Sequence, residues 1–456
     1  MNSYKASFWS FFLITFIIIA FTNFCFAETP GNIKSPQTVK EVQEGKRTVA
    51  NAAWWGFDEK DATAALQSAI NSGAKRVIVP NMTKDWIVKP IKLASNQELM
   101  FEEGVVVTAK RGEFRGKGDN LFSAEELKNI TIRGYGATWR MQKKDYLIGT
   151  MSPDFGRWAG PYEKSEWRHA FAMWSCENIE ILGLTIKDSG GDGIYLGATF
   201  KSSQPYNKNI HIKDVVCDNH HRQGISVISV DGLLLENSVF MNTWGTLPCA
   251  GIDFEPNAQG EKLTDIIVRN CVFKDNYGNG IVVAPGNITD KNEVISIRFE
   301  NCRVTSKMGS GIIIWGVKHD GPDGVIEFRD CVVENTEKFG LKIADKPANK
   351  VRTRFVNCTW RNVAHSPEMY DNLYPAIPMW IYLKRPEITK NQGGIDFIDC
   401  IIEDSKDRPF LVVRERESDI GVYDITGNIT VRNPYGAVMD LGAKSYNVTL
   451  KVIEER

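Results

Sequence analysis

Hydrophobic and polar residues alternate along most of this chain in short bursts, and the bursts recur. From about Ala170 onward one phrase returns: Gly193-Ile194-Tyr195-Leu196, Gly224-Ile225-Ser226-Val227, Gly251-Ile252-Asp253-Phe254, Gly280-Ile281-Val282-Val283, Gly311-Ile312-Ile313-Ile314 and Gly340-Leu341-Lys342-Ile343. Its spacings are 31, 27, 29, 31 and 29 residues. Between these phrases a polar residue and a cysteine close a second alternating stretch, as Asn270-Cys271, Asn301-Cys302, Asp330-Cys331, Asn357-Cys358 and Asp399-Cys400. Cys271, Cys302 and Cys331 each stand nine residues before the next phrase glycine, and Leu184 and Val215 hold the same offset. The pattern predicts two or three short strands per repeat, joined by Gly, Asn and Asp turns. A period near 29 without helical periodicity points to a stacked β-solenoid. Leucine-rich repeats share the period, but their Leu/Asn framework is absent. No single coil can bury its apolar face, so the coils must share one core.

The flanks read differently. Asp61 to Ile70 has apolar residues at helical spacing with Gly73 as a stop, which predicts a capping helix near 61–72 at the N-terminal end of the stack. Lys5, the apolar run Phe8 to Phe24 and the small-x-small step Cys25-Phe26-Ala27 predict a signal peptide over 1–27. A retained anchor is the alternative reading of that run, and Cys25 lies in a poor context for lipidation. Residues 28–54 read as a polar, mobile lead, and 55–456 as the solenoid. Two stretches break the repeat and read as long loops, Met141 to Trp167 and Ser366 to Lys384.

Composition narrows the function. In 456 residues, 55 Lys and Arg balance 56 Asp and Glu, which argues against a nucleic-acid partner. Nine cysteines fit no small disulfide scaffold. Five of them share one inward column, where rungs are about 4.8 Å apart. Disulfide Cβ atoms sit closer, at about 3.5–4.5 Å, so the cysteines are read as buried free thiols. The expected location is secreted or periplasmic, with the cell surface as a variant. A monomer without a membrane span is expected once the signal is removed.

Register also places candidate chemistry. If Ile194, Ile225 and Ile252 point inward, then Tyr195, Ser226 and Asp253 point outward on neighbouring coils, followed two residues on by Gly197, Ile228 and Glu255. Asp253 and Glu255 thus form a carboxylate pair about 6.6 Å apart along one strand. Glycoside hydrolysis needs such a pair, about 5–5.5 Å apart in retaining and about 6.5–9.5 Å apart in inverting enzymes. One member's pKa would be pushed up and supply the acid. Asp192 is a third candidate carboxylate. Turn residues of the same coils supply substrate-contact candidates: Arg168, His169, Asp188, His220, His221, Arg222 and Trp244. Arginine suits uronate or sulfate groups, and Trp suits a pyranose face. Asp396, in Gly394-Ile395-Asp396-Phe397, copies the site phrase but runs straight into Asp399-Cys400, so it belongs to the other sheet. No metal-binding motif is present.

The cap and coils resemble the right-handed parallel β-helix proteins of the pectate lyase and polygalacturonase superfamily. The resemblance implies an all-β fold, a right-handed single-stranded parallel β-helix (solenoid) with an N-terminal capping helix. It also implies an exported enzyme acting on a polysaccharide or oligosaccharide. The polygalacturonase pattern itself (Asn-Thr-Asp, Asp-Asp, Gly-His-Gly and Arg-Ile-Lys) is absent. Arg222-Gln223-Gly224-Ile225-Ser226 and Gly251-Ile252-Asp253-Phe254-Glu255-Pro256-Asn257 look like a pair found in other β-helix proteins, which adds Gln223 and Asn257 to the contact candidates. The leading expectation is a glycoside hydrolase. The alternatives are a lyase or epimerase on uronates, with Arg222, Arg168 or a histidine as base, and a non-catalytic carbohydrate-binding surface protein. The sequence requires no cofactor. Related lyases use Ca²⁺, for which Asp188, Asp192 or Asp253 would be ligands.

Overall fold

A computed structural model describes residues 34–148, 157–158, 161–289, 294–317, 321–367, 375–383, 391–414 and 420–456. The signal-peptide reading of 1–27 lies outside them, as do parts of both long loops. The repeat folds as a parallel β-helix. Among the described residues one sheet has 22 strands and another has 12, all paired in parallel. The exception is the antiparallel pair Leu147–Ile148 with Arg157–Trp158.

The glycine phrases build the 12-stranded sheet in the register that alternation predicts. Ile194 pairs with Ile225, Ile225 with Ile252, Ile252 with Ile281 and Ile281 with Ile312, and all are buried in the core. The next residue of each strand forms the outward column Tyr195, Ser226, Asp253, Val282, Ile313, Lys342. The column continues through Trp380 to Val412. Met379–Tyr382 therefore carries a strand of this sheet inside the stretch expected to be a loop. Its coil opens with Pro378 in place of the phrase glycine, so the repeat pattern passes over it.

The other sheet holds the cysteine rungs and the polar turns before them. Asn270, Asn301, Asp330, Asn357 and Asp399 all adopt φ between 50° and 54°. Short polar side chains tolerate that left-handed conformation, and here they also bond from coil to coil. Asn301 Nδ2 donates to Asn270 Oδ1 at 2.9 Å, and Asn270 Nδ2 donates to Asn237 Oδ1 at 3.2 Å. The cysteine after each turn is buried and free, as are the other described cysteines. Inside the same sheet Phe299, Phe328, Phe355 and Phe397 stack ring on ring, with centroids 4.6, 5.1 and 5.3 Å apart. Asp396 lies in this sheet, in the strand Gln392–Glu403, and pairs with Arg352 and Arg354. It is a structural acid, as its register indicates.

The capping helix is Thr63–Ile70, with Ala65, Leu66, Ala69 and Ile70 turned into the core. The segment read as a mobile lead is instead built into the fold. Pro36–Gln43 is helical and buries Val42, and Val49–Asn51 pairs in parallel with Arg76–Ile78 as an outermost strand. The buried Ala50, Ala52 and Ala53 explain the difference, because small apolar side chains close the end of the stack without a visible hydrophobic run.

The turn ladder yields a stability test. Asn270→Ala removes two inter-coil hydrogen bonds and puts a Cβ-bearing residue without a local polar partner at φ 53°. The expected loss is about 2–3 kcal/mol, and Asn270→Gly, which keeps the backbone unstrained, should lose about half as much. Urea midpoints should fall in the order wild type, Gly, Ala.

Candidate active site

Three successive coils deliver charged and polar side chains to one place. Asp192 ends the turn before the strand Ile194–Gly197. Arg222 and Gln223 end the turn before Ile225–Val227. Asp253 lies on Ile252–Phe254, with Glu255 one residue past the strand's end. Glu166 enters from the long loop one coil earlier. Arg222 sits among them: its Nη2 is 3.1 Å from Glu255 Oε2, its Nε 3.6 Å from Glu166 Oε2 and its Nη1 3.7 Å from Asp192 Oδ2. Burial works against this guanidinium, but Asp192, Asp253, Glu166 and Glu255 outweigh it and raise its pKa, so the charge is permanent.

Asp253 is outward in register yet only 1 % exposed. Gln223 Nε2 donates to its Oδ2 at 3.0 Å, while Gln223 Oε1 accepts from the Ala250 N–H at 2.6 Å. No donor among the described residues reaches Asp253 Oδ1. Burial, then the charge of Glu255, push the Asp253 carboxyl well above the ordinary range despite Arg222. A side-chain hydrogen bond with Glu255 adds to the rise and couples the two acids. Asp192 is fully buried. Its Oδ1 accepts the Gln223 N–H at 3.0 Å, and burial pushes its pKa up to about 6 against the pull of Arg222. Glu255 differs, with a side chain 40 % exposed.

His169 borders the group as a neutral ring. Its Nδ1 accepts the Asp192 N–H at 2.9 Å, and it stacks on Tyr195 with centroids 4.6 Å apart. Burial, then Arg222 and His220, hold its pKa well below the usual value. Asn257 is exposed, with Nδ2 3.5 Å from Tyr195 Oη.

Other candidates lie elsewhere, for identifiable reasons. Arg168, expected at the substrate, is 0 % exposed. Its Nε donates to Phe114 O at 2.8 Å, and its Nη2 donates to Gly116 O and Glu163 O, each at 3.0 Å. It ties down the loop carrying Glu166. His220 and His221 are also internal. His220 Nδ1 lies 2.8 Å from Ser189 Oγ, and its Nε2 would be 2.5 Å from a Cβ at Gly193. His221 Nε2 is 3.0 Å from Thr246 Oγ1. Trp244 donates to Asn219 Oδ1 at 2.9 Å and covers the Lys143 ammonium, 4.3 Å from its ring centroid. Asp188 accepts from Asn219 Nδ2 at 2.5 Å. It lines a separate cleft of about 1110 Å³, several of whose cations are tied to acids, as in Lys110–Asp61 and Arg140–Asp85. Of the Ca²⁺ ligands the resemblance allows, Asp192 and Asp253 stand together beside Arg222, and Asp188 lines that other cleft. Among the described residues no group of three or more His, Cys, Asp or Glu is arranged to hold a metal ion.

The carboxylates open onto a cavity of about 340 Å³. Leu247, Pro248 and Asn279 wall its acid end, Val282 and Ile313 floor it, and Trp315, Lys342 and Tyr382 line it beyond. Glu166, Lys342 and Tyr382 were not among the sequence candidates. Lys342 was within reach of the same register argument, whereas Glu166 arrives on an irregular loop.

Residues 165–321 match the family model described as a right-handed beta helix region. The A-module of a mannuronan C-5 epimerase from Azotobacter vinelandii superposes with a TM-score of 0.60 at 13 % identity, over 89 % of this chain and 99 % of that one. The catalytic unit of an α-1,3-glucanase from Streptomyces thermodiastaticus gives 0.56 at 10 % identity, over 90 % and 69 %. A curated relative in Bacillus subtilis, the uncharacterized protein YclG, is 26 % identical over 174 residues, 36 % of this chain and only 28 % of that protein's length. At these identities the structural likeness speaks for the fold.

The buried histidines generate a pH test. Burial first, then Lys143, lowers the His221 pKa from 6.5 to about 3. Unfolding therefore takes up a proton below about pH 6.5, and the stability this site contributes falls as pH drops from there toward 3. His221→Gln should flatten stability against pH between about 6 and 4 by about 1.4 kcal/mol per pH unit relative to wild type, read from urea midpoints across pH.

Proposed function

We propose that this right-handed parallel β-helix protein is an exported glycoside hydrolase that cleaves a polysaccharide with Asp253 and Glu255 as its acid and base pair. One observation carries the reading: a buried Asp253 carboxyl whose pKa is held well above the ordinary range and a half-exposed Glu255 carboxylate two residues on line the same cavity. Asp253 gives its proton to the glycosidic oxygen as the bond to the anomeric carbon breaks. Glu255, oriented by Arg222, either takes a proton from the attacking water or attacks the anomeric carbon itself. The leaving alcohol carries Asp253's proton and water supplies the new hydroxyl. Gln223 holds one Asp253 oxygen and so presents the other. Asp192 lies behind Arg222 and balances its charge.

The geometry favours this over elimination or epimerisation on a uronate. Those reactions need a base to remove a carbon-bound proton. Arg222 stays protonated among its acids, Arg168 braces backbone carbonyls, and His169, His220 and His221 are buried and absent from the described residues lining the cavity. A purely carbohydrate-binding role has no use for a buried carboxyl whose pKa is held well above the ordinary range.

Asp253→Asn and Glu255→Gln should each lower turnover by at least about a hundredfold, measured as reducing ends released from a polysaccharide panel. Activity should fall as pH rises past the Asp253 pKa, because the acid is then spent. Full activity in either variant, or an unsaturated product absorbing in the near ultraviolet, would exclude this assignment.

A further inference from the structure

The far end of the cavity differs from its acid end. Asp253 pairs with Val282, Val282 with Ile313 and Ile313 with Lys342, so Lys342 lies in the same outward column three coils on, about 14 Å away. Its ammonium is flanked by aromatic rings, 5.4 Å from the Tyr382 centroid, 5.7 Å from Trp380 and 5.8 Å from Phe339. Trp380 and Tyr382 stack with centroids 4.1 Å apart, which fixes that wall. Between the ends the floor is apolar: Val282, Ala284, Ile313 and Trp315 pack together. It offers sugar hydroxyls little to bond to, so polar selection falls to the two ends.

We infer that Lys342, with the rings of Trp315 and Tyr382, forms a subsite for an anionic substituent, a carboxylate or a sulfate, on a sugar residue distant from the scissile bond. The rings offer flat faces to the pyranose, and the lysine meets the charge. Among the described residues lining this cavity Lys342 is the one cation, and the Glu255 carboxylate at the other end repels an anion. A charged chain is thereby bound in one direction only, with its anionic residue at Lys342 and its scissile bond at Asp253. The position of that bond rests on the hydrolase reading; the anion site itself does not.

The test is binding of three oligosaccharide classes of matched length: oligogalacturonides for the carboxylate, carrageenan oligosaccharides for the sulfate and laminari-oligosaccharides as neutral controls. Calorimetry on wild type should give at least about tenfold tighter binding of one charged class than of the neutral one, weakening as salt is raised. Lys342→Met should lose about that factor for the charged class alone, and Lys342→Arg should retain most of it. Equal binding of neutral and charged chains by wild type, binding of none of the three, or charged-chain binding unchanged in Lys342→Met overturns the inference. The salt dependence of wild type stands even where a variant fails to fold. Scoring cleavage in parallel separates the two readings. Lys342-dependent binding without cleavage supports the anion subsite and overturns the hydrolase. Cleavage of neutral chains that ignores Lys342→Met supports the hydrolase and overturns the subsite.

Discussion

Everything in this fold hangs on coil-to-coil register. Each coil is held to the next by parallel backbone hydrogen bonds, and a slip of one residue would exchange the inward and outward columns of every strand. Left-handed Asn and Asp turns set where each strand begins, and their side chains bond to the same turn one coil away. The phenylalanine stack and the cysteine rungs then fill the interior at one spacing. The site inherits this precision. Asp192, Asp253 and Glu255 come from separate coils or strand positions, and only a locked register keeps them around one arginine.

That arginine settles the site's electrostatics. Four carboxylates around one cation leave a surplus of negative charge in a poorly solvated place. The surplus is relieved by keeping protons on buried acids rather than by adding cations. The two ends of the acid scale are set by exposure: Asp253 is walled in, and Glu255 reaches solvent. Arg222 joins them and holds the less buried one in place. Gln223 has a similar double task, since one amide meets both a backbone N–H and the Asp253 carboxylate.

Much of this was legible in the chain. The glycine phrases give the sheet, the pairings and the outward columns, and the same register assigns Asp396 to the other sheet, where it does pair with arginines. What the sequence hides is burial of a different origin. Alternation says which side of a strand a residue takes, not what folds over that side. Arg168, His220 and His221 face into layers built by irregular loops, so hydrogen bonds to backbone and small hydroxyls absorb them. The Met379–Tyr382 strand escaped notice because a proline replaces its glycine. Glu166 escaped because loops carry no period.

The thiols impose a condition of their own. Under the proposed export the chain would mature where oxidants are present, with eight described cysteines reduced and sealed in the core, five of them one above another. In the folded molecule the rungs protect one another by being inaccessible. During assembly they are merely close in sequence and exposed, so a coil must close over its thiol before a neighbouring one, or an outside oxidant, captures it. Growth of the stack from a finished end, one coil at a time, meets that condition, and collapse of all coils at once does not. Export of this fold would thus constrain its order of folding through redox chemistry that leaves no mark on the finished structure.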